Sequence, residues 1–169
     1  LLLEGIRHAA RNRPDQKIEW SHFGGGEERQ SLSEHAVKEF PPNARANFPG
    51  YQTQEHLIKT YLELPVDVFV NVSSTEGTPV SIMEAISCGI PVIATAVGGN
   101  VEIVQERNGL SLGENPVPAE IADALLSVCD HREDWLKKRQ GSRAVWQERY
   151  NETTNFEAFA QALVEIRKR

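Results

Sequence analysis

The sequence predicts an α/β fold, in which a parallel sheet carries helices on both faces and is followed by a set of C-terminal helices. Two observations support this prediction. Up to residue 112, short apolar runs alternate with longer segments of helical periodicity, which implies parallel strands joined by right-handed crossovers. After residue 112 the periodicity is helical throughout. The 169 residues suffice for one domain with a sizeable core.

Helix and strand alternate in the first third of the chain, and proline or glycine marks most boundaries. The sequence Arg13-Pro14-Asp15 is typical of a turn, and Pro41 ends the second helix. The predicted elements are a helix at 1–12, a strand at 17–23, a helix at 27–40, a strand at 44–49 and a helix at 53–62. The first helix is amphipathic and the first strand alternates with a period of two residues.

The middle of the chain contains its most apolar segments. The predicted elements there are a buried strand at 66–72, a buried helix at 79–88, a strand at 91–96, a short helix ending at 105 and a strand at 110–112. Gly89 lies at the C-terminal cap of the buried helix, with Pro91 beyond it. Gly98 and Gly99 precede the short helix.

Three apolar stripes with helical spacing predict the C-terminal helices. The stripes comprise Ile121, Ala124, Leu125 and Val128; Trp135, Val145 and Trp146; and Phe156, Phe159, Ala160 and Leu163. The last helix, at 152–169, follows a break near 151–154. Its stripe is suited either to packing on this domain or to reaching across to another one.

The segment from residue 73 to residue 85 carries the strongest functional signal. It joins a buried strand to a buried helix through a short polar loop, an arrangement that binds phosphate in open α/β sheets. We predict Thr78 as the N-cap and Pro79 as the first helical residue, while Gly77 permits close backbone approach. The free amides of residues 77–81 would then face a ligand above the helix.

Two carboxylates flank this helix start, with seven residues between them. Glu76 would overhang the pocket from the loop, and Glu84 lies too far into the helix to cap it. Charged carboxylates are seldom buried beside a helix without a partner. A carboxylate accepts two hydrogen bonds in one plane, which suits a vicinal diol such as a ribose. The alternative is a capped helix with two incidental acids.

Three other predicted strand ends carry residues that suit a ligand, because ligands of such sheets gather beyond the C-terminal strand ends. Gly24 to Gly26 would let a ligand approach the backbone, or form a plain tight turn. Phe48 and Tyr51 could flank a base, or be a core and a surface residue respectively. The paired glycines 98–99 precede another helix, or make a glycine-based turn.

Composition excludes some classes of protein. The net charge of −6 argues against nucleic acid as the main partner. The charge is uneven, −9 over residues 1–131 and +3 over residues 132–169. The basic end would face an anionic partner or a membrane surface, or be a solvated helix face. No apolar stretch approaches twenty residues, so we expect no transmembrane helix.

Cysteine and histidine usage predicts neither disulfides nor a metal. Cys88 and Cys129 both fall in apolar helical patterns, which predicts core thiols and weakly favours an intracellular location. The five histidines are scattered, and no Cys/His cluster has metal-ligand spacing. We therefore expect no metal and no cofactor.

At this point the sequence resembles a known family. The run from Val66 to Gly99, with Glu-x7-Glu at Glu76 and Glu84, closely resembles the donor-binding half of group 1 (family 4) glycosyltransferases. Glu-x7-Glu is the hallmark of that family. The segments Phe23-Gly-Gly-Gly, Phe48-Pro-Gly-Tyr and Gly98-Gly-Asn-Val-Glu occur in the expected order. The resemblance covers roughly residues 17–130.

This resemblance implies one half of a GT-B fold, whose two Rossmann-like domains enclose the active site in the cleft between them. The donor would be a nucleotide diphosphate sugar, transferred with retention and without a metal. Glu76 would contact the donor sugar near the reacting centre as the catalytic residue, and Glu84 would hold the ribose diol. The implied donor-binding residues are Gly24, Gly25, Gly50, Tyr51, Gly77, Thr78, Pro79, Val80, Glu84 and Gly99.

The chain also departs from the family pattern. Family members usually have an Arg and a Lys just before the first helix of this domain, where both neutralise the diphosphate. The chain begins at Leu1, which we interpret as inside that helix, so we expect a fragment spanning 1–169 that lacks the first strand and the acceptor-binding N-terminal domain. Such a fragment should bind donor weakly and transfer nothing. The helix at 152–169 would cross to the missing domain.

Three readings of function remain open at this point. The first is a glycosyltransferase of polysaccharide or glycolipid assembly, cytoplasmic and in contact with the membrane face in the full-length protein. The second is a non-catalytic nucleotide-binding module, which would not need Glu76. The third is a related epimerase or phosphorylase. A phosphorylase needs a lysine for pyridoxal phosphate, and the sequence has none between Lys59 and Lys137.

Overall fold

The computed structural model describes residues 1–167 and alternates helix and strand as the sequence predicts. The strands are β1 Ile18–Phe23, β2 Ala44–Gly50, β3 Phe69–Asn71, β4 Val92–Thr95 and β5 Gly109–Leu112. The helices are α1 Leu2–Asn12, α2 Arg29–Glu39, α3 Gln54–Glu63, α4 Val80–Ser87, α5 Asn100–Ile103, α6 Pro118–Asp130, α7 Arg132–Arg149 and α8 Glu152–Arg167. The predicted last helix, at 152–169, is described as far as Arg167, and residues 168–169 lie outside the described residues.

All the strand pairs are parallel, which confirms the predicted fold class. They form two hydrogen-bonded groups: β1 pairs with β2, and β3, β4 and β5 pair in that order. The predicted strand at 66–72 is shorter than expected, because only Phe69 to Asn71 align with β4. In the first group, Phe23 at the end of β1 lies opposite Gly50 at the end of β2.

Strand β4 carries helices on both of its faces. Its residues are all buried, and their side chains alternate between two apolar clusters. Val92 and Ala94 pack with α4, α5 and α7, while Ile93 packs with α6 and with Trp135 near the start of α7. The helices on both faces confirm a second part of the prediction.

Aromatic contacts join the two groups of strands. Tyr61 of α3 is buried, and its ring lies edge-on to Phe23 of β1 at 6.4 Å and to Phe69 of β3 at 6.5 Å between centroids. Ala85 and Ile90 complete this cluster. Side-chain packing therefore joins the end of β1 to the start of β3.

Helix α7 uses much of its positive charge to hold backbone carbonyls. Arg139 donates to the Val66 carbonyl at 2.6 Å, Arg149 donates to that of Glu102 at 2.7 Å, and Arg143 donates to that of Ser87. Lys138 donates to the Gly109 carbonyl at 3.1 Å. Part of the basic segment thus stabilises neighbouring loops through hydrogen bonds to their backbone carbonyls.

The C-terminal helix α8 buries none of its described residues. Phe156, Phe159 and Leu163 of the predicted apolar stripe are all exposed. Helix α8 therefore does not pack its apolar stripe on the described part of this domain, which leaves the alternative that it reaches elsewhere. No helix within residues 1–167 combines the length and apolar character that crossing a membrane requires.

The prediction for the two thiols holds only in part. Cys88, at the end of α4, is half-buried and packs on the cluster around Tyr61. Cys129 is exposed, so its interpretation as a core thiol is wrong. The preceding residue, Val128, packs on the cluster of Ile121 and Ala124, and the next side chain along a helix is rotated by about 100°, which turns Cys129 towards solvent.

Candidate functional site

The loop between β3 and α4 forms the helix start that the sequence singles out. Helix α4 begins at Val80 and Pro79 is its cap residue, with φ −75° and ψ 104°. The amides of Ile82 and Met83 both donate to the Pro79 carbonyl, at 3.2 and 3.3 Å. The predicted N-cap role of Thr78 is therefore wrong, because its hydroxyl lies one residue too early and makes no cap hydrogen bond.

Several amides at this helix start are available to a ligand. Gly77, Thr78, Val80 and Ser81 are exposed, and no described residue accepts a hydrogen bond from their backbone N–H groups. The helix dipole adds positive potential at the same place. An anion could therefore bind here without displacing any hydrogen bond within residues 1–167.

Each of the two predicted carboxylates is held by one carboxamide. Asn71 Nδ2 donates to Glu76 Oε1 at 3.0 Å, and Gln54 Nε2 donates to Glu84 Oε1 at 2.7 Å. In both side chains Oε2 has no hydrogen-bond partner among the described residues. Each carboxylate therefore has one oxygen engaged by a carboxamide and one oxygen that remains able to accept from a ligand.

The paired glycines after β4, Gly98 and Gly99, pack directly against the backbone of the Glu76 loop. Gly99 N–H donates to the Gly77 carbonyl at 2.8 Å. A Cβ on Gly98 would overlap the Glu76 carbonyl oxygen, and a Cβ on Gly99 would overlap that of Gly77. The glycine requirement here comes from the close approach of two loops, and at Gly98 also from a φ of +47°.

The glycines at the ends of β1 and β2 lie in a more open environment. Gly24 N–H donates to the Gly50 carbonyl at 2.9 Å, which brings these two predicted donor-binding residues together. A Cβ on Gly24 or Gly25 would meet no atom within 4 Å. Tyr51 is 81% exposed. This edge is therefore accessible to a ligand.

Phe48 has a packing role at this edge. Its ring lies 5.2 Å from that of Trp20 and 5.7 Å from that of His22, between centroids. Of the two alternatives for this turn, the surface position for Tyr51 agrees with the structure, whereas Phe48 is half-buried in an aromatic cluster outside the buried core. Tyr51 remains the aromatic side chain of the pair that could lie against a base.

The predicted site residues fall into two groups. One group lies at the ends of β1 and β2, namely Gly24, Gly25, Gly50 and Tyr51; the other surrounds the start of α4, namely Glu76, Gly77, Thr78, Pro79, Val80 and Gly99. Glu84 connects them, because its partner Gln54 begins α3, directly after Thr53 and close to Tyr51.

Sequence reasoning missed three residues at this site. Asn71 and Gln54 hold the carboxylates, and Arg29 donates to the Phe48 carbonyl at 2.5 Å. Asn71 had a usable signal, since it is the one polar residue between Val68 and Val72 of an apolar strand. Gln54 and Arg29 gave none, because polar residues in the first turn of a helix are ordinary.

A small depression opens beyond the C-terminal ends of β3, β4 and β5. It has a volume of about 150 Å³ and none of the predicted site residues line it. Its lining residues are Leu1, Val72, Ser73, Ser74, Thr95, Glu114, Asn115 and Pro116. Sites for drug-sized ligands measure about 300–1,000 Å³, so a nucleotide would need the open surface beside it.

Titration of Tyr61 also reflects the position of Glu84. Burial raises the pKa of Tyr61 to about 12, and the charges of Glu84 and Cys88 act in the same direction. The negative charge of Glu84 thus adds to burial in disfavouring ionisation of the Tyr61 phenol. Within residues 1–167, no three His, Cys, Asp or Glu side chains lie together in a way that could hold a metal ion.

Comparison with known proteins supplies a family. The model of the family described as "Glycosyl transferases group 1" matches residues 2–145. Sucrose-phosphate synthase 4 of Arabidopsis thaliana is 35% identical over 74 residues, which are 43% of this chain and 7% of that protein. The putative teichuronic acid biosynthesis glycosyltransferase TuaC of Bacillus subtilis (strain 168) is 31% identical over 84 residues, 50% of this chain and 21% of that protein.

Solved structures give the same fold. The pneumococcal O-GlcNAc transferase GtfA, solved in complex with UDP and GlcNAc, superposes with a TM-score of 0.73 at 19% sequence identity. The alignment covers 98% of this chain and 32% of that one. The chain thus spans about a third of this structural neighbour, and the matched segments are 7% and 21% of the two curated relatives.

Proposed function

This chain belongs to the group 1 glycosyltransferases, and we propose that it is the donor-binding domain of a retaining hexosyltransferase that uses a nucleoside diphosphate sugar. One observation carries the proposal. The start of α4 leaves several amides free, with Glu76 in the loop before it and Glu84 about one turn into the helix, and each carboxylate accepts from a carboxamide. Anion-binding amides beside oriented carboxylates match the two chemical parts of such a donor, a diphosphate and hydroxyl-rich sugars.

The amides of Gly77, Thr78, Val80 and Ser81 would bind the diphosphate. In sugar transfer this group leaves with increasing negative charge, and donors that already point at it stabilise that charge without reorganising. The dipole of α4 contributes about 0.3–1 kcal/mol to an exposed anion at its N-terminus. The helix start would therefore assist both donor binding and bond cleavage.

Each of the two carboxylates would bind a different sugar of the donor, the ribose or the transferred sugar. Glu84 would accept hydrogen bonds from the ribose diol through the oxygen that Gln54 leaves free. Glu76, in the loop, would accept from a hydroxyl of the donor sugar near the reacting carbon, which makes it the catalytic residue of the proposal. Gly50 and Tyr51 would lie beside the base, with Gly24 and Gly25 allowing close approach.

The activity of the whole protein forms the wider part of the proposal. The transferred sugar would join a polysaccharide or glycolipid acceptor, bound by a further domain, without metal or cofactor. The enzyme would act in the cytoplasm, at the membrane face where such acceptors are presented. We do not assign membrane contact to α7, because several of its cations already bind backbone carbonyls.

A nucleotide titration tests the binding part. We would titrate the ¹⁵N-labelled chain with UDP, GDP, ADP and CMP and follow the amide shifts by NMR. We expect one nucleotide to shift Gly77, Thr78, Val80, Ser81 and Tyr51, at millimolar affinity. Shifts confined to other surfaces, or no shift with any nucleotide, would contradict the proposal.

A matched pair of variants makes this test sharper. Glu84→Gln should lower nucleotide affinity about tenfold, because it removes a charged acceptor for the diol. Glu55→Gln should leave affinity unchanged, since Glu55 lies on the exposed surface of α3. Equal effects of the two variants would show that overall charge, and not the diol contact, controls binding.

The alternative is a non-catalytic nucleotide-binding module, and Glu76 discriminates between the two. In the full-length protein, Glu76→Gln should abolish sugar transfer while nucleotide binding persists. A full-length protein that binds the nucleotide and transfers no sugar to any acceptor preparation would favour the module instead.

A further inference from the structure

We propose that Asn71 is a positioning residue that fixes the Glu76 carboxylate for the donor sugar. This inference rests on the proposed function, because it assigns Asn71 a purpose through Glu76. Asn71 is the last residue of β3 and is half-buried. Its side chain is thus carried by the sheet, whereas Glu76 belongs to a loop.

Both ends of the Asn71 carboxamide are engaged. Its Oδ1 accepts from the Ser73 amide at 3.1 Å, and its Nδ2 donates to Glu76 Oε1 at 3.0 Å. Because a backbone N–H can only donate, the amide oxygen must face Ser73 and the NH₂ group must face Glu76. The orientation of the carboxamide is therefore determined by chemistry, and Glu76 receives a donor from a fixed direction.

Further buried hydrogen bonds hold the backbone on which this arrangement depends. Thr95 of β4 donates from Oγ1 to the Ser73 carbonyl at 2.7 Å, and Asn100 of α5 donates to the Thr95 carbonyl at 2.9 Å. Thr95 and Asn100 are each only 1% exposed. The turn from Asn71 to Ser73 is thereby joined by hydrogen bonds to the neighbouring strand and, through it, to α5.

The consequence for Glu76 is a restricted set of rotamers before any ligand binds. A free Glu side chain loses considerable rotamer entropy when a ligand fixes it. With Oε1 already held by Asn71, that loss has occurred in folding, and Oε2 is presented to the sugar. Removing Asn71 should therefore weaken the contribution of the sugar to donor affinity and leave nucleotide affinity unchanged.

The test compares nucleotide with nucleotide-sugar on the same chain. We would measure dissociation constants of UDP and UDP-glucose by NMR for the wild type, Asn71→Ala, Asn71→Asp and the control Asn47→Ala. Asn47 is an exposed asparagine on β2. Asn71→Asp is isosteric and keeps the acceptor for the Ser73 amide, but places a carboxylate against Glu76.

We expect UDP affinity to change less than about twofold in every variant. The affinity for UDP-glucose relative to UDP should fall about tenfold in Asn71→Ala, the value of one hydrogen bond to a charged group, and at least as far in Asn71→Asp. Asn47→Ala should match the wild type. A merely structural role would lower both affinities together, or lower the urea midpoint without changing their ratio.

A second, ligand-free measurement separates the possible failures. The Asn71 side-chain amide resonances should shift in Glu76→Gln and stay in place in Glu84→Gln. The two probes carry the base that the nucleotide titration selects, and if the wild type binds no nucleotide in that titration, the proposed function and the sugar-positioning role are both overturned. Two other outcomes would overturn only the present inference. In the first, the wild type binds both probes, nucleotide and nucleotide-sugar, and Asn71→Ala keeps the wild-type ratio of the two affinities. In the second, the Asn71 side-chain resonances do not shift in Glu76→Gln.

Discussion

The two groups of strands differ in how their ends are built. The β3–β5 group has a fully buried central strand, and the loop carrying Glu76 is fixed by Asn71, Thr95 and Gly99. The β1–β2 group alternates half-buried and exposed residues along most of its length and ends in an open glycine turn. The fixed group suits a reacting centre, which needs precise geometry, and the open group suits a base, which needs access.

Glycine illustrates the difference most directly. At Gly98 and Gly99 the absence of a side chain lets two backbone segments touch. At Gly24 and Gly26 the space is empty, and the residue is required by φ values of +129° and +122°. The same residue type therefore serves packing in one group and backbone conformation in the other, which substitutions can distinguish.

The largest expected effect is that of Gly98→Ala. The new Cβ would overlap the Glu76 carbonyl and would also require a left-handed residue, so we expect a loss of more than about 3 kcal/mol in the free energy of unfolding. Urea denaturation measures it. Gly113→Ala is the control, because Gly113 is exposed and has open space around it, and it should stay within about 0.5 kcal/mol.

The next effect concerns Tyr61, which lies between the two groups. Its pKa of about 12 in the folded protein exceeds the ordinary value of 10.0, so its contribution to stability is complete below pH 10 and is lost as the pH rises towards 12. We expect the stability difference between wild type and Tyr61→Phe to fall by about 2 kcal/mol across that range. Urea unfolding at several pH values measures it, and parallel curves would contradict the assignment.

A smaller effect is expected for Gly26→Ala, which tests the open turn. The backbone at φ +122° is strained for alanine, but no neighbour is in the way, so we expect a loss of about 1–2 kcal/mol. Gly25→Ala, with neither a positive φ nor a neighbour within 4 Å, should be nearly neutral. If Gly26→Ala cost as much as Gly98→Ala, the contrast between the two groups would be wrong.

The smallest effect is that of Gln54→Ala, which removes the hydrogen bond between the groups. The contact with Glu84 is exposed, so we expect nucleotide affinity to fall only about threefold, or about 0.5–1 kcal/mol. A 2′-deoxynucleotide, which lacks the diol, should bind both forms equally well. NMR titration measures both ligands, and an equal loss for the deoxynucleotide would place the effect outside the diol contact.

Much of the fold was predictable because apolar periodicity and Gly or Pro boundaries agree locally. Element order, parallel pairing and helices on both faces all followed from it. The shortness of β3 was not predictable, since a strand ends where its partner ends, and Val66 to Val68 give no local sign of that. The predicted N-cap of α4 was one residue too early. Residue type favours Thr78, but the backbone conformation makes Pro79 the cap residue.

The candidate site was predictable in its carboxylates and glycines and not in their partners. Glu76 and Glu84 have a fixed spacing in the sequence, whereas Gln54 meets Glu84 at a separation of 30 positions along the chain. The structure brings these residues together, and their roles towards a donor remain predictions. A residue at a helix start, such as Arg29, can be recognised as part of the site only when the tertiary structure shows its contact with a strand end.

The packing of α1 on α6 has a consequence for the order in which the chain folds. Gly5 lies so close to Ile121 that any side chain there would collide with it, so the two helices form one tight crossing. Their contact closes a loop of more than a hundred residues, and long loops make docking slow. Helix α1 is made before α6 and cannot reach its native position until α6 has left the ribosome. Until then we expect the apolar stripe of α1 that faces α6 to stay exposed, which would favour chaperone binding to the growing chain.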